Sequence, residues 1–296
     1  MRWWLTTRPP SSAKKPRPSN PLTLRTAALQ GAELLAKASV PEPRLTAELL
    51  LCHAVHCERA YLYAHREQEL REVEWIHFGR WLHERMQGKP LQYITRTQEF
   101  YGRPFTVSPD VLIPRPETEL LIETVLKRRP KARQIVDVGT GSGAIAITLA
   151  LELNAAVNAT DLSPQALRIA AANAATLNAG VRLLNADLLS PLADATQDAV
   201  VSNPPYVSTA DRETLQREVR DWEPHLALFA GADGLDIYRR LIPEALRVLK
   251  PGGLLALEIG YGQADAVTAL AADLQNIEIA QDLAGIPRVL TCEKPG

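Results

Sequence analysis

The stretch "IVDVGTGSGAIAI" at 135–147 constrains this chain more than any other. Ile135 to Val138 is apolar apart from one carboxylate, as expected of a parallel strand buried on both faces. Gly139, Gly141 and Gly143 then let the backbone turn tightly and let a ligand lie against it. The Ala- and Ile-rich run beyond them predicts a helix whose N-terminus offers free N–H groups and a partial positive charge. Strand, glycine turn and helix in this order open a Rossmann-like unit.

The pattern continues to alternate downstream. Ala155 to Thr160 reads as a second strand. A helix follows, with Ser163 as N-cap, Pro164 at its first position and an apolar stripe of Leu167, Ala170, Ala171, Ala174 and Leu177. Further strands are predicted at Val181 to Ala186, Ala199 to Ser202 and Leu254 to Ile259, the last entered through a "KPGG" turn at 250–253. The fold class is therefore α/β, with a mostly parallel sheet covered by helices on both faces. Upstream, residues 21–95 read as a small all-α domain, with spacings such as Leu45, Leu49, Cys52 and His56. Within it "CHAVHC" (52–57) pairs Cys52 with His56 and His53 with Cys57 at helical spacing. One helix cannot wrap four ligands around a metal ion, so the segment reads as a packing helix and no metal is expected. Phe100 and Phe105 flank a Gly102-Arg103 turn, which makes 96–115 a β-hairpin linker to a domain at 116–296.

Composition narrows the classes of partner. The chain has 296 residues, 46% of them apolar, and a net charge of -1, so no global field draws it to nucleic acid or an anionic membrane. Three cysteines without a C-x-x-C pair suit reduced thiols, and no apolar run reaches the length of a membrane span. Residues 1–20 are basic and rich in Pro and Ser, and read as a disordered tail, with a transit peptide as the alternative. A cytoplasmic location is expected.

Two features point to chemistry. Gly139-x-Gly141-x-x-Ala144 with Asp161 about 20 residues on satisfies a nucleotide-cofactor fingerprint, open to NAD and to S-adenosyl-L-methionine. Asp137, in the apolar strand before the glycines, favours a cofactor bearing an ammonium group. The second feature is "SNPPY" at 202–206. Asn203 ends the fourth strand of the unit and offers both a C=O and an NH2, while Pro204 and Pro205 keep their carbonyls and lack N–H donors. Tyr206 adds a flat ring. Such a corner suits a planar amide or an aromatic amine, whose hydrogens the carbonyls accept.

"SNPPY" together with "DVGTGSGAIA" resembles methyltransferases that modify amide or exocyclic amino nitrogens with S-adenosyl-L-methionine. "GKPLQYI", "EFYGRPFTVSPDVLIPRPETE", "ATDLSPQAL", "WEPHLALFAGADGL", "LKPGGLLALEIG" and "DLAGIPRV" extend the resemblance to the PrmC/HemK family, from about Leu22 to Cys292. That family methylates the side-chain amide nitrogen (N5) of a glutamine in class I peptide chain release factors, at their Gly-Gly-Gln (GGQ) loop. The resemblance implies a Rossmann-like class I methyltransferase domain at 116–296, behind a helical substrate-recognition domain. It implies that Gly139, Thr140, Gly141, Ser142 and Gly143 line the methionine part of the cofactor. Asp161 would hold the ribose and Asp187-Leu188 would contact the adenine; a leucine where relatives carry an aromatic ring weakens the case for stacking. Asn203, Pro204, Pro205 and Tyr206 would hold the glutamine, with Asn203 also bordering the cofactor. Glu258 reads equally as an active-site carboxylate or as an acceptor for backbone donors, and Arg115 and Glu117 as pocket rim or helix start. The alternatives are an N6-adenine methyltransferase of DNA or RNA, a ribosomal-protein glutamine methyltransferase, an NAD-dependent oxidoreductase and a non-catalytic binding module. No direct nucleic-acid or membrane partner is expected.

Overall fold

The structure, a computed structural model, describes residues 22–296, and the tail expected at 1–20 lies outside the described residues. The chain divides into two compact units between Met86 and Gln87.

The described part of the first unit is four helices, α1 (Leu24–Lys37), α2 (Pro43–Val55), α3 (Arg59–Ala64) and α4 (Glu72–Met86). Thr23 caps α1 by accepting the Thr26 N–H. Leu35, Leu50, Leu51 and Phe78 are buried between the helices. Gly31 gives α1 its close approach, since a Cβ there would sit 2.7 Å from the Phe78 ring. "CHAVHC" differs from expectation: α2 stops at Val55, and His56 caps it in a left-handed conformation. Its helical pairs are therefore not stacked on one helix, and His53 instead packs its ring 4.5 Å from Trp81.

The second unit opens with α5 (Leu91–Thr95) and an antiparallel hairpin, β1 (Thr97–Phe100) with β2 (Arg103–Thr106), which turns through Gly102. Phe100 and Phe105 meet edge to face in the core. A 3-10 turn at Pro116–Thr118 leads into α6 (Glu119–Arg128). Then come β3 (Gln134–Val138), α7 (Ala144–Leu153), β4 (Ala156–Asp161), α8 (Pro164–Thr176), β5 (Val181–Asn185) and β6 (Gln197–Ser202). They are followed by α9 (Arg217–Trp222), α10 (Asp236–Val248), β7 (Leu249–Glu258), α11 (Ala264–Leu270), β8 (Gln275–Gln281) and β9 (Pro287–Glu293).

Among the described residues seven strands form one sheet in the order β5-β4-β3-β6-β7-β9-β8, all running the same way except β9, which is antiparallel to both of its neighbours, β7 and β8. Successive strand residues face opposite sides. Ile135, Ala199, Val201, Leu254 and Ala256 pack into one core, while Val136, Val138, Val200, Leu255 and Leu257 pack into the other. Each fully buried Val, Leu or Ile side chain contributes roughly 1.5–3 kcal/mol of transfer free energy, and the alanines less. Two expectations shift. "KPGG" is a bulge within β7 rather than a turn before it, because Gln197 pairs with Leu249 while Ala199 already pairs with Leu254. On α8 the buried stripe is Ala166, Ala170, Asn173 and Ala174; Ala171 is exposed. Asn173 occupies the core because its side chain bridges Thr106 and Ser142.

Candidate active site

The strand order reverses between β3 and β6, so the chain leaves those two neighbours in opposite directions and a crevice opens at their carboxyl ends. A cavity of about 450 Å³ lies there. Gly139 and Gly141 follow β3, Asp161 ends β4, Asp187 and Leu188 follow β5, and Asn203, Pro204 and Pro205 follow β6; all eight line the cavity. Thr140, Ser142, Gly143, Asp137, Tyr206, Glu258, Arg115 and Glu117 do not.

The glycines differ in purpose. Gly139 and Gly141 have φ of 72° and 55°, and a Cβ on either would meet no atom within 4 Å. They present bare backbone to the cavity. Gly143, by contrast, would drive a Cβ to 2.9 Å from Ile147 and 3.2 Å from Ala170, so it serves the packing of α7 on α8. Gly139 and Thr140 donate to the Thr160 carbonyl. The Asp161 carboxylate accepts the Gly141 N–H with one oxygen and the Ser163 N–H with the other, each at 2.8 Å. Burial raises the Asp161 carboxyl above its ordinary range, against the pull of those two bonds.

Asp137 lies beneath the glycine turn, fully buried. Its Oδ2 accepts from the Thr140 hydroxyl at 2.6 Å and the Ala146 N–H at 3.1 Å, while its Oδ1 has no partner. Burial pushes this carboxyl up to about 7.

On the other side of the crevice, the Ser202 hydroxyl donates to the Val138 carbonyl and ties β6 to β3. Asn203 donates from Nδ2 to the Thr118 hydroxyl at 3.1 Å. Thr118 in turn donates to Glu258 Oε2 at 2.6 Å, and the Tyr206 hydroxyl stands 3.5 Å from Glu258 Oε1. Among the described residues the Glu258 carboxylate thus accepts from side chains and not from backbone donors. Its carboxyl is pushed up to about 7 by burial and by the Glu117 charge, opposed by the Thr118 bond and Arg288. Arg115 is engaged with the buried carboxylate of Glu223. Asp187 is paired with Arg240 at 2.6 Å, both on the cavity wall.

Comparisons with known proteins agree with this geometry. A family model described as PrmC N-terminal domain matches residues 26–95, and one described as Methyltransferase small domain matches residues 116–226. A release factor glutamine methyltransferase of Koribacter versatilis is 49% identical over 93% of this chain and 99% of its own length. The chain belongs to the release factor glutamine methyltransferase family. A relative of the same name from Geobacter sulfurreducens is 43% identical, over 86% of this chain and 91% of its own. A solved methyltransferase from Pyrococcus furiosus shares the fold, with a TM-score of 0.53 at 18% identity over 72% of this chain and 100% of that one.

The cofactor of this family is S-adenosyl-L-methionine, and the residues present fit it. The Gly139-Gly141 cradle leaves space that any Cβ would take, and each Asp161 oxygen keeps acceptor capacity beyond its one backbone bond.

Several residues of this methyltransferase site escape sequence reading. Thr118 lies inside the quoted "RPETE", but nothing local shows that it bonds Asn203 and Glu258. Gln263 holds the Tyr206 carbonyl through Nε2 at 3.0 Å. Gly234, in "GADGL", has φ of 76°, and a Cβ there would fall 2.3 Å from the Tyr206 carbonyl oxygen. Gly234→Ala is therefore expected to lower the melting temperature and methyl transfer together, because both the left-handed backbone and the Tyr206 backbone oppose the added methyl. A thermal scan with an activity assay checks this; wild-type values in both would contradict it.

Proposed function

We propose that this protein transfers a methyl group from S-adenosyl-L-methionine to the side-chain amide nitrogen of the glutamine in the Gly-Gly-Gln loop of class I release factors. We further assign recognition of the release factor to the helical part at 21–95, and the place of action to the cytoplasm. Among the described residues, no helix is long and apolar enough to cross a membrane. One observation carries the reading of the site: Asn203, Pro204 and Pro205 line the same cavity as Gly139, Gly141 and Asp161. A group held at the proline corner is therefore next to a group held at the glycine cradle.

S-adenosyl-L-methionine supplies, when bound, a methyl group on a positively charged sulfur. The chain does the rest. Asp161 grips ribose hydroxyls, and the bare backbone of Gly139 and Gly141 admits the cofactor. Asp187 and Leu188 border the adenine, Leu188 from a left-handed backbone at φ 49°. Asn203 accepts one amide hydrogen of the substrate through Oδ1, and the Pro204 carbonyl, without a donor among the described residues, accepts the other. An amide nitrogen is a weak nucleophile because its lone pair is delocalised. Accepting both its hydrogens raises its electron density, and alignment of two reactants in a site can lower a barrier by up to roughly 7–11 kcal/mol. The nitrogen loses its extra proton only after it has gained positive charge, so no strong base is required first.

Label transfer tests the acceptor class. With methyl-labelled cofactor, the label is expected in purified release factor and not in DNA, RNA or ribosomal proteins. Incorporation into nucleic acid alone would sink the reading.

Asp137 gives a pH-dependent prediction. Its folded-state carboxyl titrates at about 7, above the ordinary value expected in the unfolded chain. The folded state therefore binds the proton more tightly, and stability declines as pH rises towards 7. In the Asp137→Asn variant that decline disappears, so the variant gains on wild type between about pH 4 and about pH 7. Melting temperatures across this range check the sign; a constant difference would contradict it. The same variant is expected to bind S-adenosyl-L-methionine more weakly, since it lacks the charge beneath the glycine turn.

A further inference from the structure

We propose that Thr118 and Glu258 are positioning residues that fix the polarity of the Asn203 carboxamide, so that Oδ1 and not Nδ2 meets the substrate amide. This inference rests on the glutamine reading above. The two ends of a carboxamide are nearly equal in size, so shape alone cannot choose between them. A hydroxyl has a single proton to donate. Thr118 gives that proton to Glu258 at 2.6 Å, so toward Asn203 it can only accept, and the group it meets at 3.1 Å is Nδ2. Oδ1 is left without a donor among the described residues. Neither Thr118 nor Glu258 lies on the cavity wall, and both are buried, at 4% and 2% exposure, so they act through Asn203.

The direction of the chain depends on charge. Protonated Glu258 can donate to Thr118, which frees the hydroxyl proton for Asn203 Oδ1 and turns Nδ2 toward the substrate. Two sets of N–H groups then face each other. Glu258 is met by the Tyr206 hydroxyl at 3.5 Å and by the charges of Arg288 and Glu117. Tyr238 bonds its backbone carbonyl, and Arg288 is itself paired with Asp282. Burial outweighs these in pushing the carboxyl up to about 7, so the productive orientation holds above that pH and is lost as pH falls through it.

The test uses the full chain, purified release factor and saturating S-adenosyl-L-methionine, which keeps any titration of Asp137 out of the profile. Wild type is expected to show an acid limb in kcat/KM near pH 7. Thr118→Val lowers kcat/KM by about 10- to 100-fold and loses that limb, with cofactor affinity unchanged by calorimetry. Thr118→Ser, which keeps the hydroxyl, restores most of the rate and the limb. Glu258→Gln also loses the limb. Wild-type rate and profile in Thr118→Val, a Thr118→Ser variant as defective as Thr118→Val, or an acid limb that persists in Glu258→Gln would each overturn the inference. A wild type that does not methylate release factor would overturn the functional reading first, and is read from wild type alone.

Discussion

Asn203→Ala is expected to reduce methyl transfer by at least about 10²–10³-fold, the scale seen when one preorganised polar contact to a reacting group is removed. Stability should fall by only about 1 kcal/mol, because the substitution breaks a single neutral hydrogen bond, from Nδ2 to the Thr118 hydroxyl. Cofactor affinity should survive, since the glycine turn and Asp161 are held by their own backbone bonds to Thr160, Gly141 and Ser163. Single-turnover rates with release factor and calorimetry with S-adenosyl-L-methionine separate the two effects. Retention of substantial methylation would remove Asn203 from the centre of the mechanism.

Asp161→Ala should fail in the opposite way, by loss of cofactor. In the proposed site its carboxylate takes the ribose hydroxyls, and hydrogen bonds to a charged group contribute roughly 1.5–3 kcal/mol each. Two such bonds correspond to about 10²–10⁴-fold in affinity. The loss is compounded because the same carboxylate anchors the Gly141 and Ser163 N–H groups and so shapes the cradle. Calorimetric titration with S-adenosyl-L-methionine measures it directly, and wild-type affinity would place the ribose elsewhere.

What the sequence reveals here depends on how local the cause is. The glycine turn, the Ser163 cap and the Asn203 corner are legible because strand, turn and helix signals lie within a few residues of one another. Asn173 is not, because a polar residue on a helix is stable in the core only through Thr106 and Ser142, which lie 67 and 31 residues away. Thr118 is hidden for the same reason: its two partners are 85 and 140 residues distant in the chain. The last two strands also escape, since β8 is an edge strand with mostly exposed residues and no clean alternation. In "CHAVHC" the helical spacing continues past the point where the left-handed His56 ends the helix. No sidedness in the residues themselves announces that stop.

The central claim is that a glutamine side-chain amide is the methyl acceptor, held by the corner that begins at Asn203. Tandem mass spectrometry of a class I release factor incubated with the protein and S-adenosyl-L-methionine tests it most directly. The predicted result is a gain of one methylene in mass, localised by the fragment ions to the glutamine of the Gly-Gly-Gln peptide and missing when Asn203→Ala replaces wild type. A methyl on any other residue, or on that glutamine with Asn203→Ala at the wild-type rate, would contradict it.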